Sequence, residues 1–178
     1  MSSIVVADAG PLHYLILIDC AEILAGLFDR VLIPAAVQNE LIQANTPKKV
    51  RDWMAVPRNW LQVEHVLSPQ PIAGLHRGEA EALQLALQTN AAGVLMDDLD
   101  GRAEARKLGL VVIGTVGLLE RAAERGLIEL PAVLIRLQRT NFFVAEELPA
   151  AALARYQQRK KSWEFSPLTT ERNASASR

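Results

Sequence analysis

The sequence predicts an α/β fold: a three-layer α/β/α sandwich with a central parallel sheet. Short apolar runs rich in Val, Ile and Leu alternate with longer segments of helical periodicity. Strands separated by helices form βαβ units, whose strands are parallel and covered on both faces. With 178 residues, of which 50% are hydrophobic and 22% charged, the chain is long enough for one domain with a sizeable core.

The first two strands and three helices occupy the first quarter of the chain. The β-branched run IVVAD (4–8) ends at an acid, and Gly10-Pro11 breaks the chain before a helical stretch with leucines at 12, 15 and 17. A second helix is predicted at 21–28 and a short buried strand at 31–33. Pro34 begins the next helix, PAAVQNELIQA, because the first turn does not need its missing N–H.

The middle of the chain is less regular. Prolines at 47, 57, 69 and 71 predict loops over residues 45–76. The exception is WLQVEHV (60–66), whose alternation of apolar and polar residues is typical of a strand with one wet face.

The second half returns to alternating helices and strands. The helix predicted at 76–90 has Ala80, Leu83 and Leu87 on one face, and Gly109 ends another helix. The strands of this half are predicted at 93–96 and 110–114. Its other helices are predicted at 101–109, 115–126, 131–141 and 148–161. We expect a domain over 1–148, a helix over 149–165 that packs on it or extends from it, and a disordered tail over 166–178.

Composition excludes several classes of protein. The one cysteine, Cys20, cannot form an internal disulfide and fits a reducing cytoplasm. No segment has the roughly 18 uncharged apolar residues that span a bilayer. The net charge of −1 gives no global attraction to nucleic acid, so any such contact is local.

Carboxylates cluster where strands are predicted to end. Asp8 ends the first strand, and the stretch VLMDDLDGR places three acids after another. Such crowding costs stability unless a cation or hydrogen bonds offset it. If the two strands are parallel neighbours, these acids meet at one edge of the sheet, where ligands of such sheets bind. Two predicted helices carry further acids that are placed to converge on the same region: Glu40, Glu79 and Glu81.

An all-oxygen site of this kind suits Mg²⁺ or Mn²⁺, which bind phosphate oxygens and activate water. Each acid alone also has a structural explanation. Asp8 is placed to cap the helix after it, Asp100 to cap the helix at 101–109, and Glu79 and Glu81 to favour a helix dipole. The sequence has no zinc-ligand spacing, no phosphate-binding glycine loop and no nucleophile elbow.

Several motifs in order resemble those of PIN-domain nucleases, in particular the VapC-like toxins of type II toxin–antitoxin systems. The matching stretches span about residues 4–130: VVADAGPLHYL, VLIPAAVQNEL, HRGEAEALQLALQ, VLMDDLDGRAEARKLGLVVIGTVGLL and ERGLIEL. Ala9 departs from the pattern, because a hydroxyl residue is common at that position.

The resemblance implies a PIN-like fold, an acidic pocket for Mg²⁺ or Mn²⁺, and hydrolysis of RNA phosphodiesters. The catalytic acids it implies are Asp8, Glu40, Glu79, Asp98 and Asp100, of which Asp8, Glu40, Asp98 and Asp100 bind the metal. Asp97 becomes a residue behind the ligands, with a slip of one residue between Asp97 and Asp98 as the alternative. Arg102 is the candidate for the substrate phosphate. Thr115 is expected either to hydrogen-bond an acid or metal-bound water or to cap a helix.

The partners implied are an RNA substrate, a small antitoxin that blocks the pocket, and a second copy of the chain in a homodimer. Two other functions stay open from the sequence. One is a metal-dependent nuclease acting on DNA, and the other is an inactive PIN-fold binding module.

Overall fold

The computed structural model describes residues 3–143 and 147–164, with side chains to residue 160. Within them lie five strands: β1 (Ile4–Ala7), β2 (Arg30–Pro34), β3 (Leu61–Glu64), β4 (Gly93–Leu95) and β5 (Val112–Ile113). They form one sheet in the order β3-β2-β1-β4-β5, and every pair of neighbours is parallel. The predicted parallel sheet is confirmed.

Helices cover both faces of this sheet. Nine lie in the described residues: α1 (Ala9–Leu17), α2 (Ile23–Leu27), α3 (Ala35–Leu41), α4 (Lys48–Met54), α5 (Arg77–Gln88), α6 (Leu99–Lys107), α7 (Thr115–Glu124), α8 (Leu130–Gln138) and α9 (Glu147–Glu164). None of the described helices is long and apolar enough to cross a membrane.

Alternation along β1 divides the core into two layers. Val5 and Ala7 belong to a cluster on one face with residues of α1, α2, α7 and α8, whereas Val6 joins Leu83 of α5 and Ala105 of α6 on the other face. All five residues are essentially inaccessible to water, and each fully buried Val or Leu contributes about 1.5–3 kcal/mol. The sheet is therefore fixed from both sides, as the predicted three-layer sandwich requires.

Three boundaries differ from the sequence-based expectations. The helix α4 was predicted as loop, yet Pro47 stands at its N-cap, where no N–H is needed. The strand β5 has only two residues instead of five, because Gly109 adopts φ +76° and the Leu110 N–H bonds back to Ala105. Helix α6 begins at Leu99 rather than at residue 101.

The C-terminal helix α9 packs on α7 and α8. Arg155 of α9 binds both carboxylate oxygens of Glu120 on α7, at 2.8 and 2.9 Å. The predicted disordered tail at 166–178 lies outside the described residues.

Candidate active site

The strand order creates a crevice at the carboxyl ends of β1 and β4. From β1 the chain proceeds to β2 and β3 on one side of the sheet, and then crosses to β4 and β5 on the other. Ligands of open parallel sheets bind where the strand order reverses in this way. Asp8 follows β1 and Asp97 follows β4 by two residues, so both acids lie at this point.

Asp8 is the buried centre of the site, with only 6% of its surface exposed. It is the N-cap residue of α1, but its side chain makes no capping hydrogen bond, so the expected capping role is wrong. The pKa of Asp8 is raised from 3.8 to about 7, mainly by burial. The N–H groups at the start of α1 oppose this rise, and the negative charges of Glu40 and Glu79 add to it. Asp8 thus lies in an environment that disfavours its anion.

Glu40 reaches this centre because a glycine faces it. A Cβ atom at Gly78, on α5, would lie 2.9 Å from Glu40 Oε2 and 3.8 Å from Asp8 Oδ1. A side chain at Gly78 would therefore occupy the space between the two carboxylates. The start of α5 packs on α3 at this point, and Val37 of α3 forms part of the same close contact.

Glu79 is also part of the acidic cluster. Its carboxylate accepts the backbone N–H of His76 at 2.8 Å, which caps α5. Burial raises the pKa of Glu79, and the charges of Asp98 and Glu40 add to the rise. Glu81 does not join the cluster: it is buried against Arg77, with 2.6 Å between Oε1 and Nε, and lines a separate cavity.

Asp97 faces Asp8 and is held by Thr115. A Cβ atom at Gly10 would be 3.9 Å from Asp8 Oδ2 and 3.9 Å from Asp97 Oδ2, so this glycine lies between them. The Thr115 N–H donates to Asp97 Oδ1 at 2.8 Å, and the Thr115 hydroxyl donates to Oδ2 at 2.6 Å. Burial raises the pKa of Asp97, although these two hydrogen bonds and Arg102 oppose the rise. Thr115 therefore hydrogen-bonds an acid, which was one of the two roles expected of it. The other role, capping a helix, falls to Gly114, which is the N-cap of α7.

The other two acids of the DDLD stretch lie at the rim. Asp98 caps α6 by accepting the Gly101 N–H at 2.8 Å, which is the role expected of Asp100. The charge of Asp98 still acts on Glu79. Asp100 is exposed in the first turn of α6, and the described residue on which its charge acts is Lys107.

Arg102 lies against the strand ends rather than at an open rim. Its Nη1 donates to the Met96 carbonyl at 2.8 Å and would lie 2.6 Å from a Cβ atom at Gly114. Several other basic residues of the described chain form ion pairs with acids. These pairs are Lys48–Asp52, Lys49–Asp19, Lys107–Glu104, Arg155–Glu120, Arg159–Glu124 and Lys160–Glu129.

The carboxylates of this site are the kind of ligand that a hard divalent cation prefers. Asp8, Asp97, Glu40 and Glu79 offer only carboxylate oxygens, and the negative charges of Glu40 on α3 and Glu79 on α5 act on Asp8. Among the described residues, no three acidic, histidine or cysteine side chains stand close enough to form a ready-made metal cage. Such a set suits Mg²⁺, which keeps several waters and uses one or two carboxylates.

Sequence reasoning did not identify the two glycines, Gly10 and Gly78, on which this geometry depends. Their signal was present in the sequence, since each stands within two residues of a predicted acid at the start of a helix. Sequence reasoning also expected Asp100 to cap α6, whereas Asp98 is the residue whose side chain caps that helix.

The fold and these acids define an α/β protein with an acidic crevice at its topological switch point. The sequence pattern of the PIN domain family matches residues 4–158. The chain therefore belongs to the PIN domain family, whose members are generally nucleases.

A solved structure of similar fold is a PilT N-terminus domain protein from the hyperthermophilic archaeon Sulfolobus solfataricus P2. It superposes with a TM-score of 0.50 and 21% sequence identity, over 68% of this chain and 94% of that one. At this identity the likeness concerns the fold alone. No curated protein matched the chain closely enough to be reported as a relative.

Proposed function

We propose that the protein is an endoribonuclease that uses Mg²⁺ or Mn²⁺ to hydrolyse RNA phosphodiesters. The observation that carries the proposal is the environment of Asp8. A carboxylate with 6% exposure, held among other acids at a ligand-binding edge, costs stability without a cation. Natural proteins keep such destabilising groups mainly at functional sites.

Asp8 and Asp97 would hold the main ion in this proposal. The sequence-based alignment gave the second position to Asp98, which accepts the Gly101 N–H as the cap of α6. Asp97 is preferred here because its Oδ2 and the Oδ2 of Asp8 both lie 3.9 Å from the Cβ position of Gly10. A bound divalent ion supplies a water of lowered pKa and neutralises charge on the phosphate. Glu40 and Glu79, on the far side of Asp8, would orient the attacking water and accept its proton. Asp100 keeps an outer position, where it adds negative charge near the ion.

We further propose that this nuclease is the toxin of a toxin–antitoxin pair in the cytoplasm. The VapC-like motif order supports a cognate antitoxin that covers the crevice, and a homodimer. The test is expression of the chain alone and together with the product of the adjacent gene. Growth arrest that is relieved by the product of the adjacent gene supports the toxin role. If the chain is an active nuclease but its expression does not arrest growth, the toxin role is ruled out.

Cleavage assays on purified protein test the nuclease itself. Mixed RNA and single-stranded DNA are incubated with Mg²⁺, Mn²⁺ or chelator, beside the variants Asp8→Asn, Asp97→Asn, Asp98→Asn and Asp100→Asn. We expect metal-dependent cleavage of RNA, lost in the first two variants and largely kept in Asp100→Asn. Asp98→Asn tests which of the two residues the metal needs. If this variant loses as much cleavage activity as Asp97→Asn, the position belongs to Asp98, as the sequence-based alignment predicted.

Other outcomes assign the remaining functions. Preferred cleavage of DNA would make the protein a DNA nuclease. No cleavage with any metal, together with no metal binding by calorimetry, would make it a binding module.

A further inference from the structure

The acidic cluster lies between two cavities. The larger one, of about 530 Å³, includes Gly10, and the smaller one, of about 460 Å³, includes Gly78. Glu40 and Gln43 line both cavities. A Cβ atom at Gly10 would lie 3.9 Å from Asp8 Oδ2, and one at Gly78 would lie 3.8 Å from Asp8 Oδ1. Each cavity therefore opens beside a different oxygen of the Asp8 carboxylate.

The two cavities differ in chemistry. The smaller one has a cationic group, Arg77, and the ring of His76 beside Asn39. The larger one has no Lys or Arg among its lining residues. It presents two rings and several amides instead: His13, Tyr14, Gln43, Asn45 and Asn141. The larger cavity therefore suits an uncharged, planar, polar group. The smaller one offers a phosphate-bearing segment the side chain of Arg77, which is exposed and paired through Nε with Glu81.

The rings of the larger cavity are held in place. His13 and Tyr14 contact each other edge to face, with 5.1 Å between ring centroids. Tyr14 in turn packs edge to face on Phe142 at 4.8 Å. Burial lowers the pKa of His13, so near pH 7 its neutral ring offers one donor and one acceptor. Amide side chains likewise carry both a donor and an acceptor, which is what the edge of a nucleobase requires.

We propose that the cavity lined by His13, Tyr14, Gln43, Asn45 and Asn141 is a subsite for one base of single-stranded RNA beside the scissile phosphate. The proposal rests on the proposed nuclease function and adds the feature of RNA that the protein reads. Single-stranded RNA suits the site because its bases are free to leave the stack and meet side-chain rings and amides. Base choice at this position comes from the amides, and affinity comes from the rings.

The experiment measures binding without cleavage. The full-length Asp8→Asn protein is titrated, in the presence of Mg²⁺, with fluorescent RNA hexamers of each of the four bases and with an abasic hexamer of the same phosphate number. His13→Ala and Asn45→Ala are added to this background. Matched controls are His65→Ala and Asn59→Ala, because His65 and Asn59 line neither cavity.

We expect one base to bind best and the abasic hexamer to bind weakly. His13→Ala should weaken the preferred hexamer about tenfold, as loss of a stacking ring does, and leave the abasic one unchanged. Asn45→Ala should reduce the difference between bases. Thermal melting and circular dichroism establish that each variant is folded, and a second variant, Asn141→Ala, replaces any that is not.

Equal affinity for all hexamers including the abasic one overturns the proposal, as does no RNA binding, or equal losses in the control variants. Failure of the nuclease function is a separate result. Base-selective binding by a protein whose wild type cleaves no RNA would keep the subsite and remove the nuclease. Cleavage whose base preference His13→Ala and Asn45→Ala leave unchanged would keep the nuclease and remove the subsite.

Discussion

Asp8→Asn is expected to stabilise the metal-free protein at neutral and higher pH. The pKa of Asp8 is raised from 3.8 to about 7 in the folded state. A pKa above the unfolded value means that the folded protein binds the proton more tightly. The contribution of Asp8 to the free energy of unfolding is therefore fully present below pH 3.8 and declines as the pH rises to about 7. Asparagine does not ionise, so the variant lacks this decline.

The magnitude follows from the size of the shift. Each pKa unit corresponds to about 1.36 kcal/mol, so full ionisation of Asp8 costs on the order of 4 kcal/mol at pH 8. The Asp8 side chain makes no capping hydrogen bond that asparagine would lose, so little of the gain is lost there. The variant should approach this gain at pH 8 and show almost none at pH 4.

Urea unfolding in chelator at pH 5, 6, 7 and 8 measures the difference between wild type and variant. Asp100→Asn is the matched control, because Asp100 is exposed and its removal should cost only a few tenths of a kcal/mol at every pH. A difference between wild type and Asp8→Asn that does not change with pH, or a variant less stable than wild type at pH 8, would refute the reasoning. Added Mg²⁺ should stabilise the wild type and narrow the gap, since an ion that binds only the folded state adds to its stability.

Three further predictions concern the same crevice. Gly78→Ala should lower cleavage at least tenfold with a small change in melting temperature, because the added methyl displaces the flexible Glu40 carboxylate 2.9 Å away; unchanged cleavage would contradict this. Thr115→Val should cost about 1–3 kcal/mol in urea unfolding, because buried Asp97 loses a donor at 2.6 Å, and Thr115→Ser should restore most of it; equal losses would show that the hydroxyl is unimportant. Metal affinity should fall about tenfold per pH unit below pH 7, because the proton on Asp8 competes with the ion; calorimetry with Mn²⁺ at pH 5.5, 6.5 and 7.5 tests this, and a constant affinity would count against Asp8 as a ligand.

The elements predicted correctly from the sequence are those with a clear pattern of hydrophobic residues. The strands β1 and β4 were identified from short apolar runs, and α5 from the face of Ala80, Leu83 and Leu87. Ala80 and Leu83 are buried, whereas Leu87 is exposed, so that part of the predicted face is wrong. The prediction failed where local signals compete. Pro47 suggested a loop but in fact begins α4, since proline fits equally well in a turn and in the first turn of a helix.

The site was predicted in its parts but not in its geometry. Asp8, Glu40 and Glu79 come together because strand ends and helix starts are predictable positions. The DDLD stretch (97–100) has no such regularity, because it runs from the end of β4 through the N-cap of α6 into its first turn. Only the structure reveals that Asp97 turns toward Thr115 while Asp98 turns toward the Gly101 N–H. The contact between Asp97 and Thr115 joins residues 18 positions apart, so no local pattern announces it.

The central place of β1 in the sheet has a consequence for the synthesis of the protein. Its neighbours β2 and β4 are far apart in the chain, since β2 ends at Pro34 and β4 begins at Gly93, and β4 pairs with β1 only after residue 95 has been made. Asp97 is then fixed by Thr115, which follows later still. A growing or truncated chain that ends before residue 115 therefore lacks the contact that holds Asp97. The complete set of acids forms only after the greater part of the polypeptide has left the ribosome and folded.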